Sequence, residues 1–158
     1  MSIEIARAYL SQYGRDKDIK ELSSSSATVE LASAALGVAP ERITKTLAFK
    51  DGDGCMLIGM AGDAKIDNKK FKDTFGFKAK MLSPDETLAF TGHAVGGVCS
   101  FGVPETVKSY VDVSLKRFDT VFPACGSGNS AIELTCDELF DLARAVKWVD
   151  VCKGWNEE

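Results

Sequence analysis

The sequence predicts an α+β fold: a mixed, barrel-like β-sheet with helices packed against it. Three observations carry this expectation. Short β-prone segments and amphipathic helical stretches alternate without the regular strand–helix–strand repeat of a parallel sheet. An alternating segment, Ile43–Lys50, β-prone at its start, and an apolar one, Met56–Met60, flank Asp51-Gly52-Asp53-Gly54, a hairpin turn signal. No internal repeat, low-complexity stretch or linker divides the chain, so its 158 residues are read as one domain with one core.

The elements follow in order. Ile3, Ala6, Leu10 and Tyr13 share one helical face, so residues 2–13 read as an amphipathic helix closed by Gly14. Ile19 to Leu22 reads as a short strand. The serine run Ser23–Ser26 is a loop leading to a helix N-cap, and the helix runs from Thr28 to Leu36. Glu30 suits its N-terminal dipole, while Gly37 and Pro40 end it. After the hairpin, residues 67–75 form a helix with lysines along one side, and residues 78–82 a short strand. Ser83-Pro84 opens the next helix, with Ser at the N-cap and Pro at the first helical position. Residues 91–104 are too rich in glycine for a regular element. Residues 111–115, 120–122 and 131–135 read as short strands. Thr135 caps a helix ending near Ala145, and residues 147–151 form a last strand.

Composition narrows the function. Hydrophobic residues are 45% and charged residues 27% of the chain, an ordinary globular balance that excludes disorder and fibrous repeats. No apolar run approaches the ~20 residues that span a bilayer. The first residues do not read as a signal peptide, so a cytoplasmic protein is expected. A net charge of −4 excludes coating nucleic acid by bulk charge but leaves room for a local basic patch. Five cysteines, odd in number and without a CxxC pair, predict free thiols in a reducing compartment. With one histidine and no Cys/His ligand spacing, no metal and no cofactor is expected.

Five features carry candidate chemistry. The loop from Gly92 to Gly102 has glycines that bring backbone amides close to a ligand, where they can hold a developing oxyanion; the plainer reading is a loop threading between strands. Lys45 falls on the face of its strand that also carries Ile43, Leu47 and Phe49, so it either caps a barrel end or enters a pocket to meet an anion. The stretch from Phe122 to Ala131 has small polar residues and two glycines that suit a small pocket or a plain turn. Lys65, Lys69, Lys70, Lys72, Lys78 and Lys80 suit a phosphate backbone or a solvated helix face. Cys99, six residues after His93, suggests a thiol nucleophile if the two side chains meet.

Taken together, three ordered segments resemble the YbaK-type family, the prolyl-tRNA-synthetase-associated editing domains. They are Thr28-Val29-Glu30 through Ile43-Thr44-Lys45-Thr46-Leu47; Gly92-His93 with Gly96-Gly97-Val98; and Cys125-Gly126 through Ile132-Glu133-Leu134. Residues 61–67, Ala-Gly-Asp-Ala-Lys-Ile-Asp, also fit, and the resemblance runs from about Ser26 to Leu139. Each motif alone is weak, and their order is what is specific. Ser100 stands where the family's glycine loop has proline.

The resemblance implies a mixed, barrel-like sheet with packed helices. It implies a free-standing hydrolase that removes a small wrong amino acid, such as alanine or cysteine, from tRNA for proline. The chemical logic is that a synthetase pocket for proline discriminates poorly against smaller residues, since a methylene is worth only ~1–3 kcal/mol. Lys45 with the amides of Gly96, Gly97 and Val98 is the implied catalytic set. Thr46, His93, Ser100, Gly126, Ser127, Asn129 and Ala131 are implied around the substrate. Lys65, Lys69 and Lys72 are expected to meet the acceptor end of tRNA, with prolyl-tRNA synthetase as a further partner. The competing expectations are a binding or regulatory module that has lost hydrolysis, and a thiol hydrolase using Cys99.

Overall fold

The structure, a computed structural model, describes residues 2–155. A mixed six-stranded sheet forms its centre. It is built on the hairpin: β2 (Ile43–Asp51) and β3 (Gly54–Ala61) pair antiparallel from Thr44↔Ala61 to Asp51↔Gly54. Gly52 takes φ 61° in the connecting turn, a conformation that glycine adopts without a Cβ penalty. Outside β3 lie β5 (Lys108–Asp112) and β9 (Ala145–Val149), both parallel to their neighbours. Outside β2 lie β6 (Thr120–Pro123), parallel to it, and β8 (Leu134–Thr135), antiparallel to β6. The sheet curls into half a barrel, which agrees with the mixed sheet read from the sequence. Two small antiparallel pairs flank it: β1 (Lys20–Glu21) with β7 (Ser130–Ala131), and β4 (Lys65–Ile66) with β10 (Cys152–Lys153).

Five α-helices are described: α1 (Ser2–Ser11), α2 (Val29–Leu36), α3 (Asn68–Phe75), α4 (Pro84–Thr91) and α5 (Cys136–Leu142). Their ends follow side-chain chemistry. Thr28, Asp67, Ser83 and Thr135 each accept from a backbone amide of the first turn, and Ser83 and Thr135 form full capping boxes with Glu86 and Glu138. The main core gathers Leu10, Phe49, Met56, Ile58, Phe71 and Phe101 between the sheet and the helices. A second cluster forms around Ala48, Leu57 and Leu82, and a third around Ala32, Ile43 and Phe122.

Several sequence expectations are corrected. Tyr13 is half exposed, and Tyr9 takes the buried place instead, its hydroxyl donating to the Leu142 carbonyl at 2.6 Å. The helix cap after the serine run is Thr28. Residues 78–82 make no strand, only a bridge between Met81 and Phe49 with bonds between Lys50 and Lys80 and between Leu82 and Ala48. The segment read as a strand at 111–115 is split: β5 ends at Asp112, whose carboxylate accepts from the Ser114 amide and starts a 3-10 turn over Val113–Arg117. The stretch 131–135 is broken into β7 and β8, α5 ends at Leu142, and the last long strand begins two residues earlier than expected.

Candidate functional site

A cavity of about 210 Å³ opens between the start of α2, the first half of β2, the loop at 95–98 and strands β6 and β7. Its apolar wall is the third core cluster: Val29 and Ala32 from α2, Ile43 from β2, and Phe122 from β6. Lys45 is the one titratable side chain among those that line it. Ser26 and Thr44 also line it, both buried, and their hydroxyls have no hydrogen-bond partner among the described residues.

Lys45 is half-buried, and its Nζ donates to the Ala64 carbonyl at 2.6 Å. Burial lowers its pKa from the ordinary lysine value; the carboxylates of Asp63 and Glu30 favour the cation, while Lys65 opposes it. The carbonyl it meets sits in a tight turn where the Ala64 amide donates to the Ala61 carbonyl. Gly62 is required there, because a Cβ would fall 2.1 Å from the Pro40 carbonyl oxygen.

The rim is three loops packed backbone to backbone. A Cβ on Gly97 would lie 2.5 Å from the Ser127 amide nitrogen, so a glycine alone lets these two loops touch. Ala27 is held between Gly96 and Gly128, with a Cβ on either falling 3.3 and 3.4 Å from its methyl. The Ser26 amide donates to the Gly128 carbonyl at 2.7 Å, and the Leu22 amide to the Asn129 carbonyl at 2.7 Å. Gly96 takes φ 99°, which turns the loop over Ala27.

The structure sorts the residues singled out from the sequence. Lys45, Thr46, Gly96, Val98 and Ala131 line the cavity. Gly97 lies behind its wall, and its amide is taken: it donates to the Ala94 carbonyl at 3.0 Å. Of the three amides expected to form a cradle, those of Gly96 and Val98 make no hydrogen bond within the described residues. Gly126 and Ser127 form the seat for Gly97. The Asn129 side chain turns away, accepting from the Ser127 hydroxyl at 2.9 Å and donating to the Leu22 carbonyl at 3.2 Å. Ser100 is half-buried and outside the lining.

His93 is outside the lining too, wholly buried behind the loop. Its Nε2 lies 2.9 Å from the Phe101 carbonyl, which only accepts, so Nε2 carries the proton. Burial lowers its pKa. Cys99 Sγ does meet that nitrogen, at 3.6 Å, but a protonated nitrogen is no base for it. Burial pushes the Cys99 thiol up to about 12, so the pair lacks a thiolate.

The basic residues divide as well. Because α3 begins at Asn68, Lys65 lies on β4, outside the helix that was expected to align it with Lys69 and Lys72. Lys70 is folded back onto Asp150 and the Cys152 carbonyl. Lys69 and Lys72, with Lys78 from the following segment, wall a second hollow of about 420 Å³ beside Asn68 and Ala79. Lys69 also pairs with Asp73 at 3.1 Å. Among the described residues no cluster of three or more Cys, His, Asp or Glu side chains is placed to hold a metal ion.

Sequence reasoning missed Ser26, Val29, Ala32 and Ile43 as lining residues. Ile43 is two residues from Lys45 on the same strand, and proximity along β2 was the available signal, since residues 43–47 of both faces line the cavity. Ser26 looked like any loop serine.

Comparison with known proteins bears on this geometry. Residues 23–142, which include every lining side chain, match the model of the aminoacyl-tRNA editing domain. The chain belongs to the aminoacyl-tRNA editing domain family. It is 56% identical over 157 residues to YwhH of Bacillus subtilis (strain 168), an uncharacterized protein, covering 99% of this chain and 100% of that one. It is 28% identical over 151 residues to the proline–tRNA ligase of Thermotoga maritima, covering 88% of this chain but 25% of the ligase. A crystal structure of a candidate trans-editing enzyme for prolyl-tRNA synthetase superposes with a TM-score of 0.87 at 27% identity, covering 97% and 98% of the two chains. Lys45 and the glycine-loop residues Val95, Gly96 and Val98 line one and the same cavity within the matched residues.

Proposed function

We propose that this editing domain hydrolyses the ester linking a small, wrongly attached amino acid to the 3′ end of tRNA, with tRNA for proline as the first candidate. The observation that carries this reading is the placement of one half-buried cation, Lys45, in an apolar cavity beside the glycine loop. The small apolar wall of Val29, Ala32, Ile43 and Phe122 suits a short side chain. Water adds to the acyl carbon, the ester C–O bond breaks, and the ribose hydroxyl leaves with a proton, giving free amino acid and tRNA.

The Gly96 and Val98 amides can stabilise the oxyanion, because fixed backbone dipoles need no reorganisation as charge develops. Lys45 holds the terminal phosphate or the acyl group in register. No lining carboxylate or imidazole is available as a base, so the substrate's own groups assist the attacking water. Lys65, Lys69 and Lys72 contact the acceptor end, and the hollow walled by Lys69, Lys72 and Lys78 offers a place for one stretch of phosphate backbone.

The test is a deacylation panel: alanyl, cysteinyl, seryl and prolyl groups, each on tRNA for proline, at matched concentrations. Fast clearance of one small group with prolyl-tRNA spared supports the reading. Binding without clearance of any of them would overturn it in favour of a binding module.

A further inference from the structure

We propose that Asp63 is a positioning residue for Lys45: gripped by Arg117, it fixes the turn whose Ala64 carbonyl holds the Lys45 ammonium at the cavity. This rests on the reading of Lys45 as the cation that meets the ester substrate. Arg117 grips Asp63 through both carboxylate oxygens, at 2.6 and 3.0 Å. The guanidinium has little freedom of its own. Its Nε donates to the Ser114 carbonyl at 2.9 Å, Nη1 also donates to the Trp155 carbonyl at 2.9 Å, and it stacks over the Phe118 and Trp155 rings at 4.8 and 5.1 Å. A forked arginine–carboxylate pair fixes orientation as well as distance.

The same 3-10 segment secures the turn at its other end, where the Ala61 amide donates to the Ser114 hydroxyl at 3.1 Å. Gly62 is pressed onto Pro40 between these two fastenings. The turn is already closed by its own Ala64-to-Ala61 bond. What the Arg117 grip adds is the direction of the next peptide, and that peptide carries the acceptor for Lys45. Asp63 also acts on Lys45 through its charge. The charged and titratable groups that bear on the ammonium are Glu30 from α2, Lys65 from β4, Cys152 from β10 and Asp63 from the turn, and the Asp63 carboxylate works against the burial that disfavours the cation.

The experiment uses the full chain and two readouts: the saturating single-turnover rate on whichever aminoacyl-tRNA of the panel the wild type clears, measured across pH, and the ¹³Cε titration of Lys45, assigned by loss of its signal in Lys45→Arg. In Asp63→Asn the rate should fall about tenfold. Its alkaline limb and the Lys45 midpoint should both move down by roughly half a pH unit, because a neutral side chain no longer favours the ammonium. Arg117→Lys keeps the Asp63 charge and loses the fork, so the rate should fall while the midpoint stays. Asp63→Glu should restore the midpoint. A lower rate in Asp63→Asn with the Lys45 midpoint unmoved would mean a merely structural role and overturn the proposal. Should Asp63→Asn fail to fold, Asp63→Glu and Arg117→Lys decide: wild-type rates in both overturn it. A wild type that clears nothing in the panel defeats the deacylase reading instead, and the Lys45 titration still decides the role of Asp63.

Discussion

Gly97 and Ser127 touch backbone to backbone, so closely that a single added methyl on Gly97 would lie 2.5 Å from the Ser127 nitrogen. This contact joins the glycine loop to the loop before β7 and so sets the width of the cavity between them. Gly97→Ala must separate the two loops and is expected to cost about 1–3 kcal/mol, as overpacking of a buried contact does. Gly128→Ala, whose Cβ meets only the Ala27 methyl at 3.4 Å, should cost less than about 1 kcal/mol. Urea unfolding of the two variants checks the difference; equal stabilities would mean the loops are free to part.

Removing the amine at Lys45 should leave folding intact, because the side chain is half-buried and donates one hydrogen bond. Lys45→Ala is expected to lower kcat/KM for deacylation by about a hundredfold or more. Near-normal turnover with an unchanged melting curve would remove Lys45 from the mechanism.

Cys99→Ala separates the editing reading from a thiol hydrolase. The thiol sits in the core with its pKa pushed up to about 12 by burial, so its removal should cost about 1–2 kcal/mol of stability and leave the deacylation rate within about twofold. Native Cys99 should also resist alkylation at neutral pH until the protein unfolds. An inactive, folded Cys99→Ala enzyme would revive the thiol mechanism.

His93 makes stability depend on pH. Burial holds its folded pKa below 6.5, so the unfolded chain binds a proton that the folded chain refuses. Its contribution to stability is therefore full above the unfolded value of 6.5 and is lost as pH falls from there toward the folded pKa. Denaturation midpoints measured from pH 7.5 to 5 should decline, and His93→Gln should flatten that decline. A wild-type profile as flat as that of the variant would contradict the buried neutral imidazole.

The salt dependence of tRNA binding tests the lysine hollow. Each phosphate contact adds about 0.7–0.9 to the slope of log K against log salt. Lys69→Gln with Lys72→Gln should flatten the slope by one to two such contacts and raise KM more than it lowers kcat, since these contacts hold substrate and transition state alike. An unchanged slope would leave the two lysines as a solvated face.

What the sequence made legible was mostly local. The hairpin turn, the Ser83 cap with Pro84, and the glycine stop at Gly37 are chemistry between neighbours, and the structure has them where expected. Alternation singled out Lys45, but the cavity is lined by Ile43 through Leu47 from both faces of β2, so its placement there needed the surrounding loops. What was not legible depends on distant partners. Residues 78–82 look like a strand yet find only one bridge to β2, so no ladder forms. Asp112 ends its strand because its carboxylate is claimed by the amides of Ser114 and Val151, one of them far along the chain. His93 sits beside a glycine loop in sequence, but whether it faced the cavity or the core was decided by the Phe101 carbonyl.

The connectivity of the sheet has a consequence for how the site comes into being. The β2–β3 hairpin is local, whereas every other pairing of the six-stranded sheet except β6 with β8 is parallel and joins segments far apart in the chain. Parallel, long-range pairings close slowly because large loops must be ordered before any contact rewards them. The cavity draws on residues from Ser26 through Ala131, so it cannot exist until those late pairings are made. In chain order α2 and the hairpin that bears Lys45 come first, while the loop at 95–98 and strands β6 and β7 that complete the cavity come later. Activity should therefore lag behind the gain of hairpin structure during refolding.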